Sequence, residues 1–395
     1  MWAVKVASLA LGIVALSSLG LALSVLPVRR FLRRREPADP PRWPRVSVLK
    51  PVKGLDPAAE EGFESFINQD YPGELEVVFA VEGEDDPVLP LIRTLQAAHP
   101  DRPGREVRLV HSSARPDVMG KANNVMAAQA AATGEVYVSA DSDVIAGPDD
   151  VKRLVRQLLS NEGRGGRRIG AVGAIPVYRG MRDLGAGLIG AYYSPFMVIF
   201  YSLKDWLGPR DVFPGTYYAV LPEALAAAGG WGRIADNIAD DSTMGRYLFE
   251  AGFESVMSHV TASVPEPTKR VREYWGHQHR WHLTYRTTLP FALYLLSPLA
   301  HPAGLALALP FLLPGGPGLA ALGLYCLTRW VVIAWLNLVV LREPAMWRWL
   351  WLMPVSELVL TGAWARALVD TRTTWRGIPY RVAQGGKLVR LEPGA

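Results

Sequence analysis

Cysteine is almost missing from this 395-residue chain: Cys326 is the only one. No intrachain disulfide can form, and such a chain suits a reducing compartment. Charge is scarce too, at 20% of residues, and the 42 basic against 37 acidic residues leave a net charge of only +5. The arginines cluster beside apolar runs, a pattern that suits a membrane surface and argues against nucleic acid as a partner. What is plentiful is apolar surface. Half of the residues are hydrophobic and the mean hydropathy is +0.11, enough to supply both a soluble core and membrane segments.

The stretch Trp2 to Pro27 carries one charge, Lys5, and Arg29, Arg30, Arg33, Arg34 and Arg35 come directly after it. It is too long for a signal-peptide core and its charge lies on the wrong flank for cleavage, so residues 1–28 read as a transmembrane anchor. Residues 29–44 are a basic, Pro-rich linker whose arginines place the chain beyond it on the cytoplasmic face. Near the other end, Leu289 to Leu313, broken by prolines, and Leu319 to Leu341, with Arg329 its one charge, have the length to span. Met346 to Leu368 is interrupted by Arg348, Glu357 and Arg366 and opens on Trp347, Trp349 and Trp351, residues favoured at interfaces. It reads as in-plane or re-entrant, which leaves the basic tail 370–395 in the cytoplasm after a membrane region of 287–369. Leu184 to Leu203 is also apolar, but a crossing there would carry the C-terminal half of the chain to the opposite face. With its glycines and Pro195 it reads as a buried or membrane-surface element.

Between these regions, strand patterns at Val46–Leu49, Leu75–Val81, Val107–His111, Val136 onward and Gly170–Val177 alternate with helical patterns at Glu60–Gln69, Val88–His99 and Lys121–Ala132. Alternation of this length predicts an α/β fold, a mostly parallel sheet with flanking helices, over residues 45–286.

The chemistry gathers where strands end. Val136-Tyr-Val-Ser-Ala runs into Asp141-Ser-Asp143. Side chains two apart on an extended backbone share a side, at the edge where open α/β sheets bind ligands. Two nearby carboxylates repel unless a cation lies between them, and Mg²⁺ or Mn²⁺ with substrate phosphates is the usual hard-cation answer. The plain alternative is a strand-to-loop turn, where Asp and Ser are common. Asp86, in an acidic group with Glu82, ends the second strand and suits a hydrogen bond from uracil or ribose; alternatively it is a solvated loop. Asp240-Asp241-Ser242 opens a helix, and Asp241 could take the proton of a hydroxyl acceptor or simply cap the helix. In His277-Gln-His-Arg280-Trp281, a guanidinium can neutralise a leaving diphosphate and an indole can wall an acceptor site. The other reading is a basic aromatic collar beside a membrane helix. The two histidines, two apart on a helix, face different ways and make no metal pair.

The ordered motifs resemble a known family. Val46-Ser-Val-Leu-Lys-Pro-Val-Lys-Gly-Leu-Asp56, Asp70-Tyr-Pro72, Asp85-Asp-Pro87, Lys121-Ala-Asn-Asn124, Asp141-Ser-Asp143, Ala239-Asp-Asp241, Arg280-Trp281 and Trp375-Arg-Gly-Ile-Pro-Tyr-Arg381 are similar to those of membrane-bound inverting glycosyltransferases of the GT-A fold. The likeness is to the ceramide glucosyltransferase branch and its bacterial, hopanoid-associated relatives. The resemblance implies a cytoplasmic GT-A domain over 45–286 and transfer of a hexose, glucose foremost, from a UDP-sugar to a lipid hydroxyl such as ceramide, with inversion. It assigns the metal to Asp141 with Asp143, the base to Asp241, and substrate contacts to Asp86, Glu82, Asp240 and Lys121, with Lys50 near the nucleotide. Arg280 and Trp281 match the end of the family's Gln/Arg-x-x-Arg-Trp motif, whereas His277 stands where Gln or Arg is usual. Rival readings are a hopanoid or diacylglycerol glycosyltransferase, a processive polysaccharide synthase, and a catalytically silent sugar-nucleotide-binding scaffold.

Overall fold

The computed structural model describes residues 2–115, 118–160, 163–375 and 377–392. They divide into two compact units. A sheet unit comprises Arg34–Val177 and Leu207–Pro265; a helical unit comprises the chain up to Arg33, Tyr178–Trp206 and the chain from Glu266 on. The stretch 45–286 is thus shared, with 178–206 and 266–286 grouped with the apolar helices.

In chain order, α1 (Trp2–Leu23) and α2 (Val25–Leu32) precede β1 (Val46–Val52), α3 (Ala59–Ile67), β2 (Leu75–Glu82), α4 (Leu89–Ala98) and β3 (Arg105–Ser112). Next come α5 (Gly120–Ala131), β4 (Val136–Ala140), α6 (Asp150–Leu158), β5 (Arg168–Arg179) and α7 (Leu184–Leu207). After these stand β6 (Tyr217–Val220), α8 (Pro222–Ala227), α9 (Asp240–Glu250), β7 (Phe253–Pro265) and α10 (Val271–Thr288). The C-terminal part holds α11 (Phe291–Leu296), α12 (Ala303–Leu312), α13 (Gly316–Ala334), α14 (Met353–Val369), β8 (Arg372–Trp375), β9 (Ile378–Val382) and β10 (Leu388–Arg390).

In the sheet unit the strand order is β3-β2-β1-β4-β6-β5-β7. The first four are parallel, and β6 runs antiparallel to both β4 and β5. Every residue of β1 is buried, as expected of a central strand covered on both faces. From β1 the chain builds outward through β2 and β3, then returns to lay β4 on the other flank. That reversal opens a crevice at the carboxyl ends of β1 and β4, and pairing of β1 with β4 stops at Leu49 and Ser139. Phe63 and Phe66 of α3, both buried, pack at ring distances of 4.8 Å on Phe79 and 5.3 Å on Tyr217. Each such ring contributes about 1.5–3 kcal/mol by leaving water.

In the helical unit, α1 packs on α12 and α13 through small and apolar residues, Ala10, Val14, Ala303, Ala306, Leu309 and Tyr325. Among the described residues four helical stretches are long and apolar enough to cross a membrane: Val4–Leu32, Leu184–Leu207, Gly316–Val340 and Pro344–Val369. Phe291–Ala300 and Ala303–Leu312, bent by 56°, would make a fifth. The Leu184–Leu207 window is 72% buried against 22% for Val4–Leu32, in line with an enclosed element. Met346 to Leu368, whose charges weigh against a crossing, lies in Pro344–Val369, a stretch long and apolar enough to span, and its Glu357 is paired with Arg329. Their side chains meet at 2.7 Å, with 3% and 4% exposure. Arg329 Nη2 also donates to Ser17 Oγ at 2.6 Å and to Ala300 O at 3.3 Å, satisfying a carbonyl at the bend.

Candidate active site

At the carboxyl edge of the sheet unit, Asp141 is the first residue past β4. Its amide donates to Thr216 O at 2.9 Å, and its carboxylate meets Lys121 Nζ at 2.7 Å. Lys121 comes from the first turn of α5 and lies 3.9 Å from Asp240 as well, while donating to Gly215 O at 3.1 Å. Burial works against the Lys121 charge, but Asp141 and Asp240 outweigh it and hold its pKa above the usual lysine range. One protonated amine therefore ties the Asp-x-Asp turn to the start of α9.

Asp241 stands in the first turn of α9. Its Oδ1 accepts the Ser242 amide at 2.6 Å and its Oδ2 the Gly215 amide at 3.1 Å. The carboxylate thus satisfies an amide in the first turn of α9 and also lines a cleft. Burial, then the neighbouring Asp240, push its pKa up to about 6, against the pull of the two amides and Lys121. Gly215 lets Asp241 approach closely, since a Cβ at that position would come 3.0 Å from Asp241 Cβ. The cleft, about 360 Å³, is lined by Lys121, Gly215, Asp240 and Asp241 on its polar side and by Tyr218, Trp231 and Met244 among its apolar walls.

Asp86 lies past the end of β2, on the same edge. Two strand spacings separate β2 from β4, about 10 Å. Its carboxylate accepts the Gly54 amide at 2.9 and 3.1 Å and the Val88 amide at 3.0 Å, so it fixes the loop after β1 to the start of α4. That loop reaches the Asp-x-Asp turn, where Ser142 Oγ donates to Asp56. Glu82 ends β2, half-buried. Asn124 joins the strand ends: its amide donates to Val52 O at 2.9 Å and its Oδ1 accepts from Ser112 Oγ at 2.6 Å. This explains the Lys121-Ala-Asn-Asn124 motif, in which one helical turn delivers the cation and ties β1 to β3. Lys50, expected near the nucleotide, is not available to it. Its side chain is fully buried beneath the turn.

His277, Arg280 and Trp281 form a second cluster, in the helical unit on α10. Trp281 stacks on Tyr193 with centroids 3.9 Å apart and planes 18° from parallel, and contacts the His277 ring at 4.1 Å. Burial, with Arg280 and Lys269 adding to it, drives the His277 pKa well below its usual value, so the ring is neutral. The Arg280 guanidinium lies 4.7 Å over Trp375 of β8. His279 faces elsewhere, with Nε2 3.0 Å from Asp370 O.

Among the described residues no group of three or more His, Cys, Asp or Glu is arranged to hold a metal ion. Asp141 and Asp143 offer only oxygen donors at one turn, and this fits a hard divalent cation whose shell is completed by diphosphate oxygens rather than by the protein.

Against known proteins, the family described as Glycosyl transferase family 21 matches residues 2–388. The chain is 22% identical over 357 residues to ceramide glucosyltransferase 1 of Caenorhabditis elegans, covering 88% of this chain and 74% of that one. It is 31% identical over 120 residues, 30% of this chain and 23% of the other, to a ceramide glucosyltransferase of Komagataella phaffii. In structure it is similar to a mannosyltransferase of Pyrobaculum calidifontis solved with GDP-Man and Mn²⁺, at TM-score 0.54 and 22% identity over 92% of this chain and 99% of that one. The sheet with its flanking helices is of the GT-A kind, and the chain belongs to glycosyl transferase family 21.

Proposed function

We propose that this glycosyltransferase moves a hexose, glucose foremost, from a UDP-sugar to a lipid hydroxyl such as ceramide, with inversion, on the cytoplasmic face of a membrane. The observation that carries the reading is the junction made by Lys121, which joins the Asp-x-Asp carboxylate to the helix start bearing Asp241. Names of the Caenorhabditis elegans and Komagataella phaffii relatives support the ceramide and glucose assignments. The arginines after Pro27 and the apolar helices support the membrane and its inner face.

In one displacement, the acceptor oxygen bonds to the anomeric carbon as the bond to the diphosphate breaks. The acceptor proton passes to Asp241, whose pKa of about 6 leaves it ionised at pH 7 yet basic enough to serve. Lys121 keeps its proton and faces the negative charge that grows on the diphosphate. A divalent cation, Mg²⁺ or Mn²⁺, would be held by Asp141 and Asp143 and would supply charge neutralisation of the diphosphate leaving group. Asp86 and Glu82 serve the nucleoside at the same edge. Arg280 is assigned to the leaving group and Trp281, stacked on Tyr193, to the acceptor wall. Neutral His277, touching Trp281, donates a single hydrogen bond where the family's Gln or Arg would donate several.

Membranes carrying the protein, incubated with labelled UDP-glucose, are expected to transfer label into organic-extractable lipid. Label in an insoluble polymer would instead indicate a processive synthase, and label in neither would refute the proposed transfer.

A further inference from the structure

Lys50 is a lysine with 0% exposure in a central strand, where strong physical reasons oppose it. Its surroundings explain it. Nζ donates to Asp141 O at 2.6 Å and to Val144 O at 3.3 Å, so the ammonium fills the concave side of the turn that carries Asp141 and Asp143. The face of Phe66 lies 4.2 Å from it, within cation–π range. Burial lowers its pKa to about 7, against the pull of Asp143, Asp141 and Asp56. The turn can sit this close to α3 because Gly62 has no side chain: a Cβ there would come 3.0 Å from Val144 O.

We infer that Lys50 is a positioning residue for the Asp141–Asp143 cation site. Its Nζ draws two carbonyls of the turn inward, which fixes the backbone from which the two carboxylates project. The lysine thus holds the two carboxylates in place before any divalent ion arrives. It acts on the metal as outer-shell partners act through first ligands. The inference rests on the proposed metal and diphosphate role of Asp141 and Asp143.

The test is Mn²⁺ binding in the presence of UDP, read by electron paramagnetic resonance of free Mn²⁺ on the full-length protein in detergent. Comparison is with Lys50→Met, which keeps volume but takes the lysine donor from both carbonyls, leaving Asp141 O with only the Val144 amide at 3.3 Å, and with Lys50→Gln, which retains one donor. Outer-shell losses predict an affinity roughly 10–100-fold lower in Lys50→Met, with Lys50→Gln between it and the parent. Should Lys50→Met fail to fold, judged by near-UV circular dichroism, Lys50→Gln carries the comparison. Unchanged Mn²⁺ affinity in a folded variant overturns the inference and leaves the metal reading intact. Absence of UDP-dependent Mn²⁺ binding in the parent, with Asp141→Asn no different, overturns both.

Discussion

Two cation–carboxylate pairs of the chain are built in opposite ways. At the sheet edge, Lys121 and Asp141 keep 25% and 31% of their side chains exposed, and Lys121 serves Asp240 as well. Among the apolar helices, Arg329 and Glu357 retain 4% and 3%, and Tyr325, Ser17 and Ser18 take up their remaining polar atoms. The first assembly is open on one side and has an excess of acid, so a cation and a diphosphate can join it. The second is closed by the protein's own groups. An open charge cluster in a crevice is poised for a ligand, while a sealed pair between helices holds the helices together.

That contrast predicts which readout each substitution moves. Asp241→Asn removes the base while keeping an acceptor oxygen for one of the two amides, Gly215 or Ser242, that the carboxylate now serves. Transfer is expected to fall by roughly 10²–10⁴-fold with UDP affinity unchanged; equal turnover would remove Asp241 from the chemistry. Arg329→Met leaves Glu357 buried without its cation, a change that costs about 3–5 kcal/mol in comparable buried pairs. Thermal denaturation in detergent should show it as a lowered Tm, with normal turnover per folded molecule. A stable variant with lost turnover would mean that the sealed pair also serves catalysis.

Smaller effects sharpen the sheet-edge cluster. Asp241 must be ionised to accept a proton, so kcat/KM should fall tenfold per pH unit below about 6 and level off above it. Lys121 lowers the Asp241 pKa, so Lys121→Met should move that acid limb to higher pH. A limb that stays in place would separate the two residues. Least of all, His277→Gln, which restores the family's usual residue, is expected to change kcat/KM by less than about tenfold, measured with ceramide and with diacylglycerol as acceptors. One glutamine differs from one neutral imidazole by a hydrogen bond of about 0.5–1.5 kcal/mol.

How much of the fold and site was legible in the sequence depended on range. Strand alternation placed β1, β2 and β4, because it is a local signal; the period of two does not extend to Asp141 and Asp143, since β4 ends at Ala140 and the two acids stand in the turn that follows. The role of Lys50 was not legible. Its contact with Asp141 spans 91 positions, and a lysine in a Lys-Pro motif at a strand end looks like a ligand contact until the turn that covers it is seen. Gly215 carried no signal beyond a turn, since the Asp241 side chain that approaches it comes from another segment. Glu357 made Met346 to Leu368 look too polar to span. The compensating Arg329 sits 28 residues earlier, and neither periodicity nor hydropathy links them.

The most direct test of the contrast between the two charge clusters is calorimetric titration of UDP with Mn²⁺ into the detergent-purified protein and two variants. Binding should be lost in the double variant Asp141→Asn, Asp143→Asn and retained by folded Glu357→Gln. If the double variant binds Mn²⁺–UDP as tightly as the parent, the open cluster at the sheet edge is not the nucleotide-diphosphate site.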